Sequence, residues 1–285
     1  MPALGNLLHH FSASDKGSIK FYASAFPSNF NSAMLTDELL VYIFDGQPHL
    51  LAEPMSTWLG SSRRFITFVT TFRDKIRKKL RVTQDKESIL DLRLELETAY
   101  LLLREPYLNL LYEPLLSERL RGPDFAVTFT TSLTFMVEVT RLRADQQGAS
   151  AEAQEQTLPA KLEPNLVPTF ERLTDAIGSK LGQLQPQHSN VLLISIGATH
   201  LTQTDLRAAM LRMQQRVEHN DSAFLHRYQF RDRAAFFHHY QRLSEILVRG
   251  EQLQAAEPTI SWVNPQAKHP LPDKVRKVLY HSHAI

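Results

Sequence analysis

Residues 112–143 read YEPLLSERLRGPDFAVTFTTSLTFMVEVTRLR. Two runs rich in β-branched and aromatic residues, Asp124–Phe129 and Leu133–Val139, flank a Thr/Ser-rich turn. That pattern predicts an antiparallel hairpin. Side chains alternate along a strand, so Asp124, Ala126 and Thr128 share one face, and Met136, Glu138 and Thr140 share one face of the partner. A loop of odd length, such as Thr130–Ser132, sets Asp124 directly opposite Glu138. A two-residue loop pairs Asp124 with Val139 instead and sends the carboxylates to opposite faces. An odd loop or a bulge is therefore a requirement for the two acids to form one site.

Helical periodicity surrounds the hairpin. Upstream, Ile89, Leu92, Leu96, Ala99 and Leu103 mark one face of a helix over residues 88–104. Glu95 falls about 80° from the centre of that face, on the shoulder of the buried stripe, where a carboxylate needs a partner. Further upstream, Phe65, Val69, Phe72, Ile76 and Leu80 predict a helix over residues 62–81. Six of the nine residues from Arg73 to Arg81 are basic: Arg73, Lys75, Arg77, Lys78, Lys79 and Arg81. Two readings stand for them, a solvated helix face or contact with nucleic-acid phosphates. Near the start, LLVYIF at Leu39–Phe44 is strand-like in composition.

Downstream, residues 144–164 are polar and predict a flexible loop. A helix follows over residues 166–184, then a buried strand at Asn190–Ile196 and a helix marked by Leu206, Met210, Met213 and Val217. Phe230–Gln241 reads as helix, Leu243–Val248 as strand, and Asp273–Leu279 as a short basic helix. The fold class expected is α/β or α+β.

Composition sets the outer bounds. The chain has 285 residues, 43% hydrophobic and 22% charged, which excludes disordered and collagen-like classes. With 32 Lys+Arg against 30 Asp+Glu the net charge is +2, so any basic patch is local. There is no cysteine, which excludes disulfides, Cys-ligated zinc and a thiol nucleophile. No apolar run is long enough for a membrane span, and the N-terminus lacks a secretory pattern, so a cytoplasmic location without membrane association is expected.

Two carboxylates on adjacent strands repel each other. A divalent cation resolves that cost, and hard oxygen donors suit magnesium. Glu95, on the neighbouring helix, could complete a ligand set with Asp124 and Glu138. The order of these features resembles the PD-(D/E)XK nuclease-like superfamily. Its core places a helix with a glutamate before a hairpin bearing "PD" and "ExK", then a helix and a strand. Here Glu95 stands on the helix, Pro123-Asp124 opens the first strand, and Glu138-Val139-Thr140 lies on the second. The PDF and EVT blocks also resemble uncharacterised bacterial members of that superfamily. The resemblance covers about the middle 40% of the chain, residues 88–196.

The resemblance implies a mixed central sheet flanked by helices. It also implies a core over residues 88–220, an N-terminal addition over 1–87 and a C-terminal addition over 221–285. By function it implies magnesium-dependent phosphodiester hydrolysis of DNA or RNA, with Asp124, Glu138 and Glu95 as the metal-holding carboxylates. One departure bears on activity: Thr140 replaces the family lysine. Arg141 points to the other strand face. Lys180 on the following helix is the candidate replacement, and Gln183, three residues on, resembles a glutamine that some members carry there. Two readings follow, an active nuclease using Lys180, or a catalytically degenerate protein that keeps the fold and binds nucleic acid or protein.

Other motifs carry less. The adjacent pairs His9-His10 and His238-His239 point in different directions on a helix and alternate faces on a strand, His281 and His283 could share a strand face but lie near the C-terminus, and no HExxH, P-loop, GxGxxG or GxSxG is present. The run FRDRAAFFHHYQ at residues 230–241 mixes aromatics with arginines and reads as core packing, with base stacking as the alternative.

Overall fold

A computed structural model describes residues 32–83, 85–114, 122–142, 166–197, 201–250 and 260–283. Among the described residues four helices come first: α1 (Ser32–Phe44), α2 (Ala52–Ser61), α3 (Arg63–Val82) and α4 (Lys86–Arg104). Three strands follow, β1 (Leu108–Tyr112), β2 (Phe125–Phe129) and β3 (Leu133–Leu142). Then come α5 (Leu166–Leu181), β4 (Ser189–Ile196), α6 (Gln203–Glu218), α7 (Ser222–Arg227) and α8 (Arg233–Tyr240). The chain closes with β5 (Leu243–Gly250), β6 (Ile260–Val263) and α9 (Asp273–His283). The fold is mixed α/β.

The strands form one six-stranded open sheet in the order β1-β2-β3-β4-β5-β6. The β1–β2, β2–β3 and β5–β6 pairs are antiparallel, and β3–β4 and β4–β5 are parallel. Both faces are covered, so the central strands are apolar on both sides. Val137, Val139, Val191, Leu193 and Leu247 pack with residues of α1–α4 and α9. Leu192, Ile194, Ile246 and Val248 pack with residues of α5–α8. Among the described residues no helix is long and apolar enough to cross a membrane.

Several expectations change. LLVYIF is the end of α1, not a strand: Leu39 and Ile43, one turn apart, are buried, while Val41 between them is 62% exposed. Helical spacing of the buried positions outweighs β-propensity here. The fifth helix ends at Leu181, short of residue 184. β1, β6 and α2 are elements that periodicity did not single out. Residues after 221 contribute β5 and β6 to the same sheet. The expected loop at 144–164 and the His9-His10 pair lie outside the described residues.

Candidate active site

The site is built on the β2–β3 hairpin. Phe129 pairs with Leu133 across the three residues Thr130–Ser132, so the loop is odd. Thr130 takes a left-handed backbone, φ 56°, and its N–H donates to the Tyr107 carbonyl at 2.7 Å. The register runs on to Phe125 opposite Val137, and one further step brings Asp124 opposite Glu138. On that same face the Thr128 and Thr134 hydroxyls meet at 3.0 Å. Asp124 precedes β2 and is fixed twice. Its Oδ2 accepts the Val139 N–H at 2.8 Å, and its carbonyl accepts the Glu113 N–H at 2.8 Å.

Glu138 is only 4% exposed, in the middle of β3. Its partner comes from the crossover helix. The parallel β3–β4 connection lays α5 over the Glu138 face, and in its last turn Lys180 Nζ sits 2.6 Å from Glu138 Oε1. Arg141 points to the other face, where it pairs with Glu87 and with Asp91 of α4, the latter at 3.3 Å. Thr140 and Lys180 both line the same cleft.

A second acidic position flanks the first. Glu95 of α4 accepts the Tyr112 hydroxyl at 2.7 Å and pairs with Lys79 Nζ at 2.5 Å. Lys79 also reaches Glu113 at 2.6 Å. Burial and the nearby Asp124 charge push the Glu95 carboxyl above its usual pKa, against the pull of Lys79 and Tyr112. Burial and then the Glu138 charge push Asp124 up to about 6, opposed by Lys180, the Val139 N–H and Lys79. Burial works against the Lys79 charge, but Glu95 and Glu113 outweigh it and raise its pKa. The Tyr112 hydroxyl is pushed far up by burial and by Glu95.

These groups meet at a cleft of about 300 Å³, whose walls include Asp91, Glu95, Asp124, Thr140, Arg141 and Lys180. Glu138 lies behind the wall, its Oε1 capped by Lys180. Among the described residues no three acidic, His or Cys side chains are grouped closely enough to hold a metal ion by themselves. Glu95 is engaged by Tyr112 and Lys79, and Glu138 by Lys180. Magnesium does not require three protein ligands. It keeps several waters and is held by one or two carboxylates plus substrate phosphate. Asp124, which lines the cleft with Glu95 and pairs across the hairpin with the Glu138 strand, is the carboxylate placed to meet that requirement.

The remaining candidates fall elsewhere. Gln183 lies beyond the end of α5 and lines a different cavity, so it does not join Lys180 at the cleft; the helix stops before the three-residue spacing can align them. Four of the six basic residues of α3 are spent within the chain. Lys75 and Lys79 reach Glu113, and Arg77 and Arg81 reach Asp45. Arg73 lies over the Tyr42 ring at 5.3 Å, and Lys78 is exposed. His281 stands on α9 and bonds Glu105. Tyr112 is a site member that sequence reasoning missed, and Lys79, expected among the phosphate contacts, pairs instead with Glu95 and Glu113. Apolar residues two apart at Leu108, Leu110 and Tyr112 were the faint signal, in a run of only five residues.

Comparison of the chain with family models, with curated proteins and with solved structures gave no match in any of the three.

Proposed function

We propose that the chain is a nuclease of PD-(D/E)XK type that hydrolyses phosphodiester bonds of DNA or RNA with magnesium. The observation that carries this reading is Lys180 Nζ at 2.6 Å from Glu138 beside Asp124, in an open cleft. Asp124 and Glu138, with Glu95 flanking, would hold the ion. Bound magnesium would supply Lewis-acid stabilisation of a phosphoryl oxygen and a more acidic water. The chain's own residues do the rest. The Val139 N–H fixes the Asp124 carboxylate, and Lys180 holds a positive charge where a phosphate would enter. Lys79 and Tyr112 fix the rotamer of Glu95. Arg73 and Lys78 are two exposed α3 cations available to a phosphate backbone.

A second reading is favoured by one observation: Lys180 and Lys79 already neutralise Glu138 and Glu95. On that reading the fold is catalytically degenerate and serves binding to nucleic acid or protein. Calorimetric titration of Mg²⁺ and Mn²⁺ separates the two. Saturable binding that is lost in Asp124→Ala and in Glu138→Ala supports the nuclease, with cleavage then abolished in Lys180→Ala. Folded variants and wild type that all fail to bind either ion leave the degenerate reading.

A further inference from the structure

The run FRDRAAFFHHYQ, residues 230–241, mixes aromatics with arginines, and the fold separates the two. Phe230, Phe236 and Tyr240 are buried in the core beneath α7 and α8. Arg231 and Arg233 are exposed, as are His226 and Arg227 just before them. The Arg231 side chain is 87% exposed and that of Arg227 61%. From Ser222 to Ser244 the chain carries four arginines and three histidines against one acid, Asp232.

The chain spends little of this charge on itself. Among the described residues Arg233 and Arg242 form no salt bridge. Arg233 lies over the Phe237 ring at 5.8 Å, and Arg242 donates to the Leu184 carbonyl at 3.2 Å. Arg231 pairs with its neighbour Asp232 at 2.8 Å, but that carboxylate also caps α8 by accepting the Ala235 N–H at 2.7 Å. Arg227 shares Asp175 of α5 with the Tyr228 hydroxyl. Helix α8 gains nothing from the arrangement, because Arg231 and Arg233 flank its N-cap, where the helix dipole disfavours a cation. On α3, by contrast, Lys75 and Lys79 hold Glu113, and Arg77 and Arg81 hold Asp45.

The position of this segment points to its partner. A second cavity, of about 480 Å³, lies at the end of α5, and Arg227 lines it with Ser179, Gly182 and Gln183. Lys180, in that same turn of α5, lines the acidic cleft. The Tyr228 ring rests on α5 at Gly178, where a Cβ would come within 2.8 Å of it. The arginine segment is thereby fixed to the helix that carries the cleft lysine. Guanidinium forks match phosphate oxygens, and such contacts position a strand without reading its bases. We propose that Arg227, Arg231 and Arg233 dock the phosphate backbone of a nucleic-acid strand that runs on from the acidic cleft across the end of α5. The charge argument stands alone; the choice of a nucleic acid as the polyanion rests on the nuclease reading.

The test measures fluorescence anisotropy of labelled short single strands and duplexes, of DNA and of RNA, with the full chain in chelator. At least one probe is expected to saturate, with an affinity that falls as salt rises. Arg231→Glu/Arg233→Glu should weaken it about tenfold or more and lower the salt slope by about 1–2. Lys274→Glu/Lys277→Glu, the same change of net charge at exposed positions on α9, should leave it unchanged. Asp124→Ala should also retain binding, so loss of metal binding or cleavage removes the nuclease reading and leaves this surface standing. Failure of all probes to bind overturns the proposal, as does equal weakening by the two double reversals. Polyglutamate that competes as well as an unlabelled strand also overturns it and makes the segment a surface for acidic protein. If the α8 variant does not fold, amide shifts on wild type decide: shifts at Arg227–Arg233 support the docking surface, and their absence there overturns it.

Discussion

Lys180 neutralises Glu138 and leaves Asp124 to carry the unbalanced charge of the pair, and that division has two measurable consequences. Glu138 is buried, so Lys180→Met strands an uncompensated carboxylate. A loss of about 3 kcal/mol in urea unfolding is expected, with much of it recovered in Lys180→Met/Glu138→Gln. Asp124 rises from its ordinary 3.8 to about 6 on folding. The folded state then holds this proton more tightly, so the stability it brings is present below pH 3.8 and lost as pH rises through about 6. In chelator, Asp124→Asn should exceed wild type by roughly 3 kcal/mol at pH 8, an advantage that vanishes by about pH 4. Melting temperatures across that range check it. Asp124, Glu138 and Glu95 were legible because strand alternation and helix phase are local rules, whereas Lys180 was singled out only by the resemblance. The Lys79–Glu95–Tyr112 contact was not, because it depends on how α3, α4 and β1 pack together. Gln183 was misplaced because helix ends are weakly encoded.

Helix α5 serves both cavities, and one glycine decides how it packs. Gly178→Ala should gain about 1 kcal/mol of helix propensity. The new Cβ would meet the anchored Tyr228 ring at 2.8 Å, and overpacking of that kind costs about 1–3 kcal/mol. A net loss in melting temperature is expected, reversed to a gain in Gly178→Ala/Tyr228→Leu if the ring is the obstacle. The long periodic elements, α3, α4, β3, β4 and β5, were legible because each buries a regular face of many residues. β1 and β6, at five and four residues, are too short for alternation to stand out. The α1 segment shows composition misleading: Val41, Tyr42 and Ile43 favour strands, yet the buried Leu39–Ile43 spacing is helical. The odd hairpin loop was the one element-level condition that the acidic pair imposed, and Thr130–Ser132 meets it.

At the scale of the whole molecule, α9 ties the end of the chain to the far side of the sheet. Glu245 on β5 is fully buried and is held by Arg276 at 3.0 Å and by the Tyr280 hydroxyl. Burial raises its pKa against both partners. Arg276→Met should lower global stability by about 3 kcal/mol, and Glu245→Leu/Arg276→Met should restore most of it, because an apolar replacement of a buried ion pair is tolerated where half a pair is not. The urea midpoint reports both. The six strands also lie side by side in the order in which they occur along the chain. Among the described residues no later strand wedges between two earlier ones, so the sheet can lengthen at one edge as the chain leaves the ribosome. By the time residue 196 has emerged, four strands and every wall of the acidic cleft have been synthesised. The second cavity still waits for α7 and α8, so the two pockets are born at different moments of translation.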